Sequence, residues 1–300
     1  MYRAQRRTRA GGTRLAPRTE KIVPYLFLAP FFVGFMFFWV YPFVYSFVLS
    51  FFRFRGYGEA RFLGFQNYVN LFMYPDFWLS IRNTLFYFVA HFVPVTVVSF
   101  FLAFGLQRGV FRPGVTAVYK TILFFPRVMA TAAVALVFQV LLATRSGVVN
   151  QLLGTAIPFL RDPALTRWSV VALVSWRAIG WFLVVYLAGL TTISNDVRDS
   201  ATIDGANLLQ RLIHVVIPIM KPIFAFAFIM DTIASLKIFT EPNVLFPGII
   251  PPPQVQPMMN MLTRNIGAAR FGMASAVGWI LFVMALSISL GFGRLLRTKD

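Results

Sequence analysis

Six apolar stretches, each long enough to cross a bilayer, constrain this chain more than any other feature of its sequence. A crossing needs about 20 residues, because the hydrocarbon core is about 30 Å thick and a helix rises about 1.5 Å per residue. The sequence therefore predicts an all-α membrane protein, a polytopic bundle of six transmembrane helices with no sizeable soluble domain. The predicted spans are Val23–Phe52, Ile81–Leu106, Val118–Leu142, Trp168–Leu190, Pro222–Phe239 and Phe271–Leu290.

Positive charge is concentrated at the two ends of the chain and in short loops. The chain has 28 Lys and Arg residues against 10 Asp and Glu, which gives a net charge of +18. Cytoplasmic loops carry an excess of Lys and Arg, and an even number of spans places both ends on one side. We expect a multi-pass protein of the cytoplasmic (inner) membrane with both termini cytoplasmic. Residues 1–21 are predicted to be a basic tail that contacts lipid headgroups rather than nucleic acid.

The composition disfavours an intramembrane enzyme. The chain has no cysteine, which excludes disulfides, thiolate metal sites and cysteine nucleophiles. Its two histidines, His91 and His214, cannot form a metal cluster, and Asp231 is the only carboxylate well inside a predicted span. Catalysis needs a nucleophile with a base, paired acids or metal ligands. We therefore expect no catalytic residue and no metal site.

Three segments between the spans are predicted to lie on the outer side. Arg53–Trp78 mixes aromatic residues with Arg and Gly, a composition typical of the membrane-water boundary. Thr144–Arg167 and Glu241–Pro257 are expected to be external and irregular. In the second of these, three consecutive prolines at 251–253 oppose regular helix or sheet pairing.

The segment between the fourth and fifth spans, Asn195–Lys221, is too polar to cross the membrane and is predicted to face the cytoplasm. Asp204-Gly205 indicates a turn, since glycine tolerates positive φ. Pro218 is expected to end the following helix, because proline lacks an amide hydrogen. Physical reasoning leaves two alternatives, a helix lying on the membrane surface and a helix presented to a cytoplasmic partner. Apolar residues recur after the turn at helical spacing, at Leu208, Leu209, Leu212, Ile213 and Val216.

The same segment carries a specific motif. Asp199-Ser200-Ala201, three residues, Gly205, nine residues and then Val215-Val216-Ile217-Pro218 resembles the E-A-A-x3-G-x9-I-x-L-P loop of ABC importer permeases. In that family the loop forms a coupling helix that docks into a groove on a separate ATPase subunit. Here aspartate replaces the usual glutamate and Ser200 replaces alanine. The resemblance implies ATPase docking through Asp199, Ser200, Ala201, Asp204, Gly205, Ala206 and Pro218.

The resemblance extends from about Ala29 to the C-terminus. Phe62–Tyr68 is similar to the F-x-G-x-x-N-Y stretch of carbohydrate-type permeases, Asn83-Thr84 sits where their second helix opens, and Phe271–Ala276 is similar to the start of their last helix. One departure is the loop after Phe239, where many relatives have a threonine followed by several glycines and this chain has Phe246–Pro257. The resemblance implies a type I ABC importer permease fold over residues 22–300, with a coupling loop at 195–221.

The resemblance also implies an assembly. This chain would pair with a second homologous permease, most simply as a heterodimer, and with two ATPase subunits that use ATP and magnesium. An extracytoplasmic solute-binding protein would deliver a sugar or oligosaccharide. No lysine follows a glycine anywhere in the chain, so a phosphate-binding G-x4-G-K-[ST] loop is absent from the sequence. The chain is therefore expected to be a non-catalytic subunit without a cofactor of its own.

Polar residues inside the spans are candidates for a substrate pathway. A charged residue there costs about 2.5–3.5 kcal/mol on insertion scales, so it needs a partner or a wet cavity. Arg177 and Asp231 are expected either to form an interhelical ion pair or to contact sugar hydroxyls. Trp176 is either a stacking surface for the substrate or simply packed. Further candidates for hydrogen bonds to the substrate are Asn83, Gln139, Ser235 and Lys237.

Three other functions fit the sequence less well. A self-contained secondary transporter would need its own coupling-ion site within the spans, and only Asp231 is available for it. A structural scaffold would not need the motif between the fourth and fifth spans. A permease for another solute, such as an amino acid, a polyamine or phosphate, remains the open alternative.

Overall fold

The computed structural model describes residues 19–108, 113–246 and 251–296. The predicted basic tail therefore lies outside the described residues up to residue 18. The chain divides into two units, Met1–Leu49 and Ser50–Asp300. Within the described residues, five helices are long and apolar enough to cross a membrane, and a bent pair of helices counts as a sixth.

The first unit contains one helical segment long enough to cross a membrane, Ile22–Leu49. It is built from α1 (Thr19–Phe35), a π-helical turn (Met36–Val40) and α2 (Tyr41–Leu49). The π turn ends just before Pro42, and such turns form where a missing amide interrupts the regular hydrogen-bond pattern. The helix ends three residues before the predicted limit, at Leu49 instead of Phe52.

The second unit contains the other long helices. Each begins earlier or ends later than its predicted span. The most extensive packing is between α4 and α8, and the buried residues Ala103 and Ala178 belong to one hydrophobic cluster with other residues of these two helices. The long helices are α4 (Pro75–Gln107), α8 (Pro163–Thr191), α11 (Ile217–Leu236) and α14 (Phe271–Leu296).

The third predicted span, Val118–Leu142, is wrong as a single helix. The structure has two helices there, α5 (Pro113–Val128) and α6 (Thr131–Leu141), whose axes differ by 101°. Pro126 removes an amide hydrogen bond just before the break. Ala130 then takes an extended conformation with ψ 129°. Apolar composition alone cannot show such a break.

The three segments that the sequence predicts to lie on the outer side contain more regular secondary structure than expected. Arg53–Trp78 contains an antiparallel pair of strands, β1 (Phe52–Arg53) with β2 (Arg61–Phe62), followed by α3 (Gln66–Met73). The expectation of irregular loops at Thr144–Arg167 and Glu241–Pro257 is wrong in part, because both contain short helices. Pro242 fits the first turn of one of them, where an amide has no intrahelical partner. These elements are α7 (Val148–Leu153) and α12 (Thr240–Leu245), with a 3₁₀ turn at Pro253–Val255; α13 (Met258–Gly267) follows the second segment.

Between α8 and α11 lie α9 (Asn195–Ile203), α10 (Leu208–Arg211) and a second π turn, Leu212–Val216. The expectation that Pro218 ends the helix is wrong, since helical structure continues from Leu208 to Leu236. Pro218 stands in the first turn of α11, directly after the π turn. In that wider turn the Ile217 amide bonds to the Leu212 carbonyl, and the proline is accommodated without a break.

Candidate functional site

Two short helices joined at a glycine turn form the α9–α10 segment, Asn195–Arg211. Ser194 begins α9, and its hydroxyl accepts a hydrogen bond from the Val197 amide at 3.4 Å. Gly205 has φ +71°, a conformation that strains any residue with a side chain. Asn207 and Gln210 form a reciprocal capping box at 2.8 and 2.9 Å. The predicted order of helix, glycine turn and helix is confirmed.

Hydrogen bonds across the turn join the two helices into one unit. The Ala206 amide donates to the Ala201 carbonyl at 3.1 Å. Arg211 reaches back from α10, where its Nε donates to the Ala206 carbonyl at 2.7 Å and its Nη1 donates to Thr202 Oγ1 at 2.8 Å. The turn is therefore held in one shape by main-chain and side-chain bonds together.

The segment is also tied to the ends of two long helices. Arg198 Nη2 and Gln107 Nε2 both donate to the Leu190 carbonyl, at 2.7 and 2.6 Å. Leu190 lies in the last turn of α8, where carbonyls lack intrahelical partners. Sequence reasoning missed both donors. The sequence could have indicated them, because the carbonyls at the end of a helix need hydrogen-bond donors from nearby residues.

The outer surface of the segment combines apolar and acidic side chains. Ile203 is 86% exposed, and Leu208 and Leu209 are 50% and 61% exposed. The single apolar face predicted for α10 is thus divided, because only Leu212 and Val216 of that set are buried. The predicted docking residues also differ in position: Asp199, Ser200, Asp204 and Gly205 are exposed, Ala206 is half-buried, Ala201 is buried, and Pro218 is exposed but belongs to α11.

A buried polar cluster lies where α4, α8 and α11 meet. His91 Nε2 is 2.9 Å from Asp231 Oδ1, and His91 Nδ1 is 3.1 Å from Ser175 Oγ. With Asp231 ionised and His91 neutral, Nε2 donates to the carboxylate and Nδ1 accepts from the serine. Ser235 lies one turn from Asp231 on the same helix, as its spacing predicted, at 3.5 Å. His91 and Ser175 were missed, although an ionisable group in a span signals that some partner exists.

Arg177 is not part of this cluster, so the expected ion pair between Arg177 and Asp231 is wrong. Arg177 Nη1 lies 3.4 Å from Glu241 Oε1 at the start of α12. Its Nη2 donates to the Met129 carbonyl at 3.4 Å, at the break between α5 and α6. Asp231 and Arg177 each contact a different partner, and the distance between residues along the sequence does not predict these partners.

Asn83, in the first half of α4, is hydrogen-bonded to the segment around the 3₁₀ turn. Its Nδ2 donates to the Pro253 and Gln256 carbonyls, each at 3.1 Å. The Tyr87 hydroxyl donates to the Val255 carbonyl at 2.8 Å. Asn83 is fully buried, so its observed contacts fix the 3₁₀ turn against α4.

The remaining candidates lie apart from one another. Gln139 lines a cavity of about 720 Å³ with Arg145 and Arg161. Trp176 is 44% exposed, and its ring centroid lies 5.5 Å from that of Phe138. Lys237 is exposed at the end of α11. Among the described residues, a side-chain hydrogen bond joins the predicted pathway residues Asp231 and Ser235.

Comparison with known proteins assigns this architecture. No protein-family model matches the chain. It is 27% identical over 280 residues to the probable ABC transporter permease protein YurN of Bacillus subtilis (strain 168), covering 90% of this chain and 94% of that protein. In the crystal structure of a bacterial ABC transporter involved in the import of the acidic polysaccharide alginate, one chain matches with a TM-score of 0.80 at 24% identity, over 93% of this chain and 96% of that chain. Over most of its length the chain is similar to ABC transporter permeases.

Other relatives of the permease have names that specify sugars. The arabinooligosaccharides transport system permease protein AraP of Bacillus subtilis (strain 168) is 27% identical over 278 residues, covering 91% of this chain and 88% of that protein. The lactose transport system permease protein LacF of Rhizobium radiobacter is 28% identical over 274 residues, covering 88% and 91%. The permease is thus a multi-pass membrane protein similar over most of its length to sugar permeases.

Proposed function

We propose that this permease is one of two transmembrane subunits of an ATP-driven importer. It forms half of the translocation pathway for a sugar or oligosaccharide that an extracytoplasmic binding protein delivers. The observation that carries the proposal is the exposed apolar surface of Ile203, Leu208 and Leu209 on the braced α9–α10 segment.

This surface suits a protein partner. Clustered apolar side chains on a rigid support are typical of the centre of a protein interface, and the acidic residues Asp199 and Asp204 supply a polar rim. Because the bonds of Arg198 and Arg211 hold its shape, docking orders few additional groups. The partner we propose is a separate ATPase, two copies of which use ATP and magnesium while the permease remains non-catalytic.

The charge distribution supports the orientation. Lys and Arg are concentrated before the first span and after the last, as expected for cytoplasmic ends. We place both termini and the α9–α10 segment in the cytoplasm, and the α7 region outside. The second transmembrane subunit is a homologous permease in a heterodimer.

The substrate class is supported by the relatives. Their names specify arabinooligosaccharides and lactose. A matching structure is that of the bacterial alginate ABC transporter in complex with an alginate pentasaccharide-bound periplasmic protein, at 24% identity and a TM-score of 0.80 over 93% of this chain and 95% of that chain. The permease therefore imports a sugar or oligosaccharide and receives it from a binding protein.

The test is a mild-detergent pull-down of the tagged permease from its native membrane, followed by mass spectrometry. Ile203→Asp should remove the ATPase and leave the second permease, because it places a charge in the docking surface. Leu152→Asp is the matched control, since Leu152 on α7 is similarly exposed, at 82%. Loss of the ATPase in both variants would contradict the docking site. Recovery of the wild-type permease alone would favour a self-contained secondary transporter.

A further inference from the structure

Three arginines line one cavity at the base of the α9–α10 segment. The cavity has a volume of about 300 Å³ and lies between the end of α4 and this segment. Its cationic wall consists of Arg108, Arg198 and Arg211, with Gln107 beside them. The rest of the wall is apolar and includes Phe104. This volume lies at the lower end of the range of about 300–1,000 Å³ that is usual for small-molecule sites.

The positive charge of this cavity is not balanced by the protein. None of the residues that line it is Asp or Glu. In the part of the chain that the structure describes, Arg177 pairs with Glu241 and His91 contacts Asp231, and neither contact involves these three arginines. Like charges around one cavity repel each other, so an anion bound between them would stabilise the arrangement.

The three guanidinium groups are also held in place. Arg198 and Arg211 donate to carbonyls of the Leu190 and Ala206 main chain, and Arg108 lies over the Phe104 ring, 4.9 Å from its centroid. Each guanidinium has five N–H donors, so donors remain for a ligand after these bonds are made. Planar, fixed guanidinium groups match the oxygen atoms of phosphate, often through two parallel bonds.

We propose that this cavity binds a phosphate group, supplied by the headgroup of an anionic phospholipid. A soluble phosphate would offer the same chemistry. The apolar part of the wall and the position at the end of a membrane-length helix favour the lipid, since basic pockets between helices commonly hold anionic headgroups. Assignment of the lipid to the cytoplasmic leaflet rests on the proposed function, whereas binding itself does not.

Native mass spectrometry of the full-length permease, purified in mild detergent and titrated with phosphatidylglycerol, tests the proposal. Arg108→Gln should weaken binding by about fivefold, the factor expected for one arginine near an anionic headgroup. Arg108→Lys should retain most of it. Arg294→Gln is the matched control, because it removes an exposed arginine at the end of α14, outside the cavity wall. Val215→Glu, which adds a carboxylate to the wall without removing an arginine, should also prevent binding.

A parallel titration with inorganic phosphate separates the two sources. Phosphatidylglycerol binding that depends on Arg108 and resists millimolar phosphate identifies the lipid. Displacement of the lipid by inorganic phosphate, with binding of phosphate that depends on Arg108, identifies a soluble phosphate instead. An equal loss in Arg108→Gln and Arg294→Gln, or no loss in Arg108→Gln and Val215→Glu, would overturn the site. Neither titration requires the ATPase, so the result is independent of whether the docking proposal holds.

Discussion

Asp231 and Arg177 are ionisable residues inside the predicted spans, and each has a nearby partner in the structure. Asp231 pairs with His91, and Arg177 pairs with Glu241. The sequence correctly indicates that each needs a partner, because unpaired charge is costly in the membrane. It cannot indicate which partner, since His91 and Asp231 are 140 residues apart and meet only through the packing of α4 against α11.

The contact between His91 and Asp231 predicts a measurable loss of stability. His91→Ala leaves the Asp231 carboxylate buried without its closest partner, which should lower the free energy of unfolding by roughly 1–3 kcal/mol. Thermal unfolding of the purified permease in detergent measures this change.

Two further variants distinguish the contribution of the His91–Asp231 contact to stability from that of neighbouring polar groups. Ser235→Ala should have a smaller effect, because its hydroxyl lies 3.5 Å from the carboxylate, at the limit of a hydrogen bond. Changing His91 and Asp231 together to leucine should recover most of the stability, since no carboxylate remains buried without its partner. Equal losses in His91→Ala and Ser235→Ala would show that the pair has no special weight.

Close approach of helices α5 and α8 depends on one glycine. A side-chain carbon at Gly180 would overlap the Leu123 carbonyl oxygen, which is main chain and cannot simply turn away. Gly180→Ala should therefore separate the two helices and lower the unfolding temperature. Gly105→Ala is the matched control, because a carbon added there meets nothing within 4 Å and alanine favours helix. Similar unfolding temperatures for the two variants would contradict the close packing.

The glycine turn between α9 and α10 predicts a functional effect. Gly205→Val should strain the turn and lower uptake of a labelled sugar relative to ATP hydrolysis in the reconstituted complex, because φ there is +71° and valine is β-branched. Gly154→Val applies similar strain, since Gly154 has φ +63° at the end of α7, away from the proposed ATPase. Uptake per ATP should be retained in the control, and normal coupling in Gly205→Val would contradict the role of the turn.

At the level of elements, the sequence predicts helix positions better than helix shape. Apolar length located all the long helices, and the Asp204-Gly205 signal located the turn. The break between α5 and α6 and the continuation through Pro218 were missed. Both depend on how one proline is accommodated, and that is decided by local hydrogen bonds and packing rather than by composition.

The orientation of the whole molecule gives a prediction that uses its lack of native cysteine. Ile203→Cys and Arg294→Cys should react with a membrane-impermeant maleimide only in inside-out vesicles. Leu152→Cys should react only in intact spheroplasts. The reason is the even number of spans together with the positive charge at both ends. Labelling of Ile203→Cys and Leu152→Cys from the same side would invalidate the proposed topology.

Whole-molecule features were predicted to different degrees. The class of membrane protein and the motif at Asp199–Pro218 can be predicted, because each depends on short, continuous stretches of sequence. The proposed pathway is not, because Asn83, Gln139 and Trp176 lie on different elements and are held by different neighbours. In the proposed assembly, the pathway would lie between the surfaces of two permeases. The sequence of one permease describes only one of these surfaces.

The uninterrupted helical run from Leu208 to Leu236 carries the exposed leucines at one end and Asp231 near the other. A helix is a screw, in which each residue advances the chain by about 1.5 Å and turns it by about 100°. One residue added to the regular part of this run, between Ile217 and Asp231, would turn the exposed leucines by that angle relative to Asp231. The π turn at Leu212–Val216 is the place where the run already departs from that regular phase. The number of residues between the leucines and Asp231 is therefore set by angle as well as by reach.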